Sequence, residues 1–311
     1  MFSKKILTNN QNWTFREGVF ATAGIAFVLL LHGAVPFYLM PGQAIWTTGF
    51  AQSFANGPFF SIYANDFGIP TPAAIAYGLA GAWPTSLLLR LGLHPADAYA
   101  GMNAFWLLVA FTFAFRIGRL MGGTRTFAIL GGIVWMSMPI IWGHAPGYAM
   151  LSLGIGLLSF YFFAALKLFL SKDKNRKSTI QIGLLYFFAT ITAVFMDGYT
   201  FVMFAVGSSI LFCYLFFIFP EVRTELSRVA LPVHILAFLT AYILYAMYVG
   251  RSSFEAHPIE TFRGFGLDIS FIAVPTKGVH WLLDLAGFSM ERSDRFYFGD
   301  GSVWQTTFSL P

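Results

Sequence analysis

The chain has 311 residues, is 57% hydrophobic and only 11% charged, and contains 37 phenylalanines, with a mean hydropathy of +0.67. That excludes an ordinary soluble domain, whose exterior must face water. The net charge of +5 sits in short loops between apolar runs, so it reads as cytoplasmic loops and no nucleic-acid partner is expected.

Several apolar runs reach the roughly 20 residues that a helix needs to cross a bilayer. The expected class is an all-α polytopic membrane protein, because a β-barrel shows short alternating segments instead. The single Cys213 lies inside an apolar run, which leaves no internal disulfide and no cysteine metal cluster. The first apolar run lacks a clear small-residue cleavage site and reads as a retained helix, not a signal peptide.

In chain order, a polar start with Lys4, Lys5 and Arg16 leads to a first span at 19–40. A less hydrophobic, aromatic stretch follows at 41–70 and runs into YANDFGIPTP, residues 63–72. Residues 71–92 are apolar but broken by glycines and Pro84, so they read either as a span or as a helix hugging the membrane. Further spans are expected at 98–115, 126–143, 148–170, 179–196, 200–219 and 229–249.

Charge decides between the two readings of 71–92. If that segment does not cross and the N-terminus is cytoplasmic, Lys4, Lys5, Arg16, Arg116, Arg119, Arg125, Lys167, Lys172, Lys174, Arg176, Lys177, Arg223 and Arg228 share the cytoplasmic side. Before residue 250 the far side then holds Arg90 alone. If the segment crosses, basic clusters fall on both sides. The positive-inside rule selects the first arrangement: about seven crossings, with 41–97 as one long external loop carrying membrane-hugging helices.

Residues 1–250 then form the transmembrane unit, and 251–311 form an external polar and aromatic segment holding seven of the fourteen acids. The ending VWQTTFSLP reads as the threshold of another span, so a truncated chain is expected. No internal repeat or low-complexity segment is visible.

This layout, with PTPAAIAYGLAGAWPTSLLLRLGLHPADAYAGMNAFW after the first loop and the turn FRIGRLMGGTR after the next span, resembles the GT-C membrane glycosyltransferases. The resemblance covers about residues 10–250 and is one of layout. It implies an enzyme that moves a sugar from a polyprenyl-phosphate carrier to a cell-surface glycan, lipid or protein acceptor. The implied location is the bacterial inner membrane, with the active face external. Two departures stand out. Many members carry an Asp soon after the first span, where this chain reads MPGQAIW, with Gln43. Many also carry a charged group in the next external turn, where this chain reads GHAPGY, with His144 and Tyr148. The alternatives are a transporter or flippase of lipid-linked sugars and a non-catalytic scaffold.

Glycosyl transfer needs a base for the acceptor hydroxyl, cationic groups for the departing phosphate, and an apolar groove for the lipid. Asp66 is the candidate base; its ordinary reading is an Asx turn before Pro70. Asp97, in HPADAY, opens a span where the helix dipole favours an acid. His94 beside it can bind phosphate or donate a proton. Asp197, in FMDGYT, sits at the expected outer membrane edge, where an unpaired acid is costly, or simply in a hairpin bend made by Gly198. His144 and Tyr148 occupy the neighbouring turn. One His and one Asp do not make a metal site, so no cofactor and no bound metal is predicted; a divalent ion at the phosphate is left open. Arg90, Arg251, Arg263, Lys277, Arg292 and Arg295 are the external cations, and of these Arg90, Arg251, Arg263 and Lys277 are the candidates for the phosphate. His32 and His234 are the only ionisable candidates in mid-span.

Overall fold

A computed structural model describes residues 13–34, 43–58, 78–145, 148–170 and 176–249, together with 63, 64, 66, 73 and 74. Helix α1, Phe15–Leu31, starts at a capping box: the Thr14 hydroxyl accepts from the Glu17 N–H while the Glu17 carboxylate accepts from the Thr14 N–H. It ends earlier than the span expected at 19–40. Gly33 turns the chain with φ 66°, a conformation that glycine adopts without strain.

Helix α2 covers Gln43–Asn56. A two-residue hairpin follows, β1 Tyr63–Ala64 and β2 Ala73–Ala74, antiparallel with Tyr63 opposite Ala74. Helix α3, Leu79–Arg90, has 12 residues. Its length of about 18 Å falls short of the ~30 Å hydrocarbon core. Its N-terminus is fixed from outside: the Gly78 N–H donates to the carbonyls of Phe195 (2.9 Å) and Met196 (3.2 Å).

Helix α4, Pro95–Leu120, extends beyond the expected 98–115 at both ends. The stretch expected as one span at 126–143 is broken. Helix α5, Arg125–Met136, stops before Pro139, and the intervening Met138 is extended, as residues preceding proline prefer. A single turn, α6, Pro139–Trp142, follows. Then come α7, Ala149–Leu170, α8, Arg176–Met196, and α9, Gly198–Ile218. A 3₁₀ turn, Pro220–Val222, the one-turn α10, Arg223–Glu225, and a π-helical turn, Leu226–Ala230, lead into α11, Leu231–Val249.

Among the described residues, five helical stretches are long and apolar enough to cross a membrane: Pro95–Leu120, Ala149–Leu170, Lys177–Met196, Gly198–Ile218 and Pro220–Met247. The architecture is that of an all-α, polytopic integral membrane protein. Helix α7 is its axis, with 83% of its span buried against 17% for α9 and for the α11 stretch. The latter two present apolar residues such as Ile210, Phe217, Leu239 and Tyr242 to the outside. A helix apolar all round suits either place, the protein core or lipid.

Pairings along the helices fix their directions. Helices α4 and α7 run parallel: the Ser159 hydroxyl donates to the Ala110 carbonyl, Phe113 meets Phe160 and Phe163, and Arg116 lies over Phe163. Helices α7 and α9 are also parallel, with Gly154 against Thr200, Tyr161 against Phe204 and Phe169 against Phe212. At the start of α1, Glu17 pairs with Arg125 at 3.2 Å, and Arg125 lies over Trp13.

One end of the bundle therefore collects Arg16, Arg116, Arg119, Arg125, Lys167, Lys177, Arg223 and Arg228. The opposite end holds the starts of α4, α7 and α9, the finish of α8, and the layer made by α2, the hairpin and α3. Among the described residues, Arg90 is the only basic side chain there.

Candidate functional site

The end away from the basic residues carries Asp66, Asp97 and Asp197, each on a different element. Asp197 is the one residue between α8 and α9. Its extended backbone (φ −160°, ψ 139°) lets the side chain fold back as an N-cap. Its Oδ2 accepts from the Thr200 N–H at 3.0 Å, and the Thr200 hydroxyl donates to the Asp197 carbonyl at 3.1 Å. Burial raises the pKa of the Asp197 carboxyl above the ordinary range, opposed by its hydrogen bonds to Thr200 and Tyr199.

Helix α7 passes this cap closely. A Cβ on Gly154 would lie 2.6 Å from the Thr200 Oγ1. Seven residues further along the same face of α7 is Tyr161, fully buried, with its ring against Phe204 at 5.4 Å. Among the described residues, its hydroxyl has no hydrogen-bond partner.

His144 and Tyr148 flank the turn before α7. They are brought together, edge to face at 6.2 Å, and the Tyr148 N–H donates to the His144 carbonyl at 2.7 Å. His144 is 1% exposed. Burial pushes its pKa down to about 4, so the ring is neutral at pH 7. Tyr148 is 44% exposed and presents its ring outward.

Arg90, expected as a phosphate ligand, closes the α2–α3 layer. Its Nη2 donates to the carbonyls of Phe54 (2.7 Å) and Gly57 (2.6 Å), at the C-terminal end of α2 where helical carbonyls lack partners. His94 is the N-cap of α4, its Nδ1 accepting from the Ala96 N–H at 3.3 Å. Asp97 lies in the first turn of that helix, half-buried. Asp66 lies in the connection between β1 and β2 and is exposed. Arg251, Arg263 and Lys277 lie outside the described residues, as does the whole segment 251–311. Among the described residues, no group of three His, Cys, Asp or Glu side chains is placed to hold a metal ion.

Sequence reasoning passed over Gly154, Thr200 and Tyr161. The spacing of seven between Gly154 and Tyr161 marks one helix face, but nothing local says that Asp197 lies opposite. It also left His234 without neighbours. In the structure the Tyr186 hydroxyl lies 2.7 Å from His234 Nδ1, and the Ser209 hydroxyl 3.3 Å from Nε2. Rings of Phe169, Phe212 and Phe238 pack around it.

No protein-family model, no curated protein and no solved structure matches this chain.

Proposed function

We propose that the chain is a GT-C-like membrane glycosyltransferase of about seven crossings, with the N-terminus cytoplasmic. It moves a sugar from a polyprenyl-phosphate carrier to a glycan, lipid or protein acceptor on the external side. The observation that carries this reading is the polarity of the bundle. The three acids lie at one end, beneath or within a layer too short to cross, and the basic residues lie at the other.

Asp66 is assigned the base, because it is exposed where an acceptor arrives, whereas Asp197 caps α9. Asp66 takes the proton of the acceptor hydroxyl. The acceptor oxygen bonds to the anomeric carbon, and the bond from that carbon to the phosphate oxygen breaks. Polyprenyl phosphate leaves with the electron pair, held by Arg251, Arg263 and Lys277, with His94 nearby. Arg90 shapes the layer. Asp97 and Asp197 assist.

The test is mass spectrometry of surface glycans from a deletion strain carrying either the parent gene or Asp66→Asn. Loss of one sugar, restored by the parent and not by the stably inserted variant, is expected. Restoration by both removes Asp66 from the chemistry, and an unchanged glycan profile on deletion removes the transferase.

A second reading, a transporter of lipid-linked sugars, is favoured by one observation. His234 is an ionisable group at membrane depth with both ring nitrogens in polar contact. It predicts uptake of a lipid-linked sugar by proteoliposomes that depends on His234 and not on Asp66.

A further inference from the structure

The cations at the basic end of the bundle are not all engaged in the same way. Arg119 donates to the Gly123 carbonyl at 2.8 Å, Arg125 pairs with Glu17 at 3.2 Å, and Arg223 donates to the carbonyls of Phe216 (2.6 Å) and Phe217 (3.0 Å). These side chains close turns and helix ends. Arg116 and Lys167 differ: among the described residues, neither forms a hydrogen bond or an ion pair.

Yet these two are brought together. Arg116 lies one turn before the end of α4, and Lys167 lies in the last turn of the parallel helix α7. The Arg116 guanidinium carbon is 5.9 Å from the centre of the Phe163 ring, and the Lys167 Nζ is 5.8 Å from the same centre. Arg116 also lies over Phe113 at 5.3 Å, and Phe113 meets Phe163 at 5.1 Å. The two rings form an aromatic floor at the α4–α7 seam. A ring attracts a cation through its quadrupole but gives the N–H donors no oxygen. Two like charges over one ring repel each other, and an anion between them reverses the sign of the interaction.

The donors define the anion. A guanidinium presents a planar fork that takes two oxygens of one phosphate, and an ammonium adds a point charge beside it. The level is that of headgroups, since α4 and α7 are both long and apolar enough to cross the membrane and both cations lie near their ends. On the same face of α4 as Arg116, at helical spacing, come Thr112, Val109 and Phe105, with Phe105 51% exposed. This stripe leads from the cation along the membrane-crossing helix, the course an acyl chain takes.

We propose that Arg116 and Lys167 form a binding site for the phosphate of an anionic phospholipid, with an acyl chain lying along α4. The site is at the opposite end from Asp66, Asp97 and Asp197 and rests on neither functional reading.

The experiment is native mass spectrometry of the full chain released from nanodiscs of equal parts phosphatidylglycerol and phosphatidylcholine. The proteins are the parent, Arg116→Gln, Lys167→Gln, both together, and Arg223→Gln as a control cation of the same end. The parent is expected to retain phosphatidylglycerol in preference. Each single change lowers that preference about fivefold and the pair about thirtyfold, while Arg223→Gln leaves it nearly unchanged. Arg116→Lys keeps the charge and loses the fork, so it falls between the parent and Arg116→Gln. Melting gives a second readout: phosphatidylglycerol raises the Tm of the parent above its value in phosphatidylcholine alone, and does not raise that of the double variant.

An unchanged preference in the double variant overturns the proposal. So does an equal loss in Arg223→Gln, which means diffuse charge and no site. Glycerol 3-phosphate separates the lipid from a soluble phosphate ester. If it binds the parent through Arg116 and Lys167 while no phospholipid is retained, the lipid assignment is overturned.

Discussion

Gly154 of α7 and Thr200 of α9 approach so closely that a methyl group on the glycine would meet the Thr200 hydroxyl at 2.6 Å and its Cβ at 3.3 Å. Thr200 is β-branched and held by Asp197, so it cannot turn away cheaply. Gly154→Ala is expected to destabilise the protein by about 1–3 kcal/mol through overpacking. Adding Thr200→Ala removes the offending atoms and should recover most of the loss. Thermal unfolding of the two variants checks this, and a double variant no better than Gly154→Ala alone contradicts it.

Two titratable groups at the same end, His144 buried and Asp197 half-buried, pull pH dependence in opposite directions. The His144 ring is held neutral with a pKa of about 4 against an ordinary 6.5. The unfolded chain therefore takes up the proton first, and stability is lost as pH falls from 6.5 toward 4, by roughly 3 kcal/mol at most. His144→Phe should flatten that loss in Tm measured against pH.

Asp197 behaves in the reverse sense. Its folded pKa is raised above 3.8, so stability declines as pH rises from there through the folded value, then levels off. Asn keeps the cap and removes the half-buried charge. Asp197→Asn is therefore expected to melt higher than the parent above that window and to converge with it in acid. Equal separation at every pH contradicts this assignment.

Arg90 is expected to reveal itself first in the layer it closes. Arg90→Gln gives up two hydrogen bonds from a charged group to helix-terminal carbonyls at an exposed position, worth about 1 kcal/mol. Amide exchange in the last turn of α2 should quicken while α7 and α8 stay protected. If that exchange is unaltered and only lipid-phosphate binding drops, Arg90 is a ligand first.

The orientation of the bundle can be read with single cysteines. Cys213 is the only native one and is replaced by Ser. Met121, 70% exposed at the basic end, and Tyr148, 44% exposed at the other, are substituted one at a time. A membrane-impermeant maleimide should label Tyr148→Cys in intact cells and Met121→Cys only in inverted vesicles. Labelling of both from one side breaks the arrangement.

The long apolar segments were legible in the sequence because their composition alone decides the matter. The reading 148–170 differs from α7 by one residue at its start, and 200–219 lies close to α9. The errors have local causes. Gly33 turns the chain inside what looked like one run at 19–40, and Pro139 breaks another by forcing Met138 out of the helix. The extra turns of α4 come from His94 and Pro95 at its start and from Arg116 and Arg119 at its end. Polar residues of that kind lower a hydropathy window without ending a helix.

The site was less legible. That Asp197 lies at a corner between two apolar runs could be read from the sequence, but that Gly154 abuts Thr200 beside it follows from the pairing of α7 with α9, which no local pattern encodes. Arg90 stood out as a cation on the wrong side. Its carbonyl partners Phe54 and Gly57 are backbone groups, which leave no trace in residue identity.

A single residue joins α8 to α9, and that residue is bonded along both helices, backward through its N–H to Ala193 and forward through its carboxylate to Thr200. The carbonyls just before it hold Gly78, the foot of α3. The cover layer is thus tied to the corner of α8 and α9 at the first residue before α3, and two residues further on to α4, where the Trp106 indole N–H donates to the Ala80 carbonyl at 2.9 Å. Its attachment is therefore made through backbone carbonyls, which substitution of side chains in α8 leaves in place.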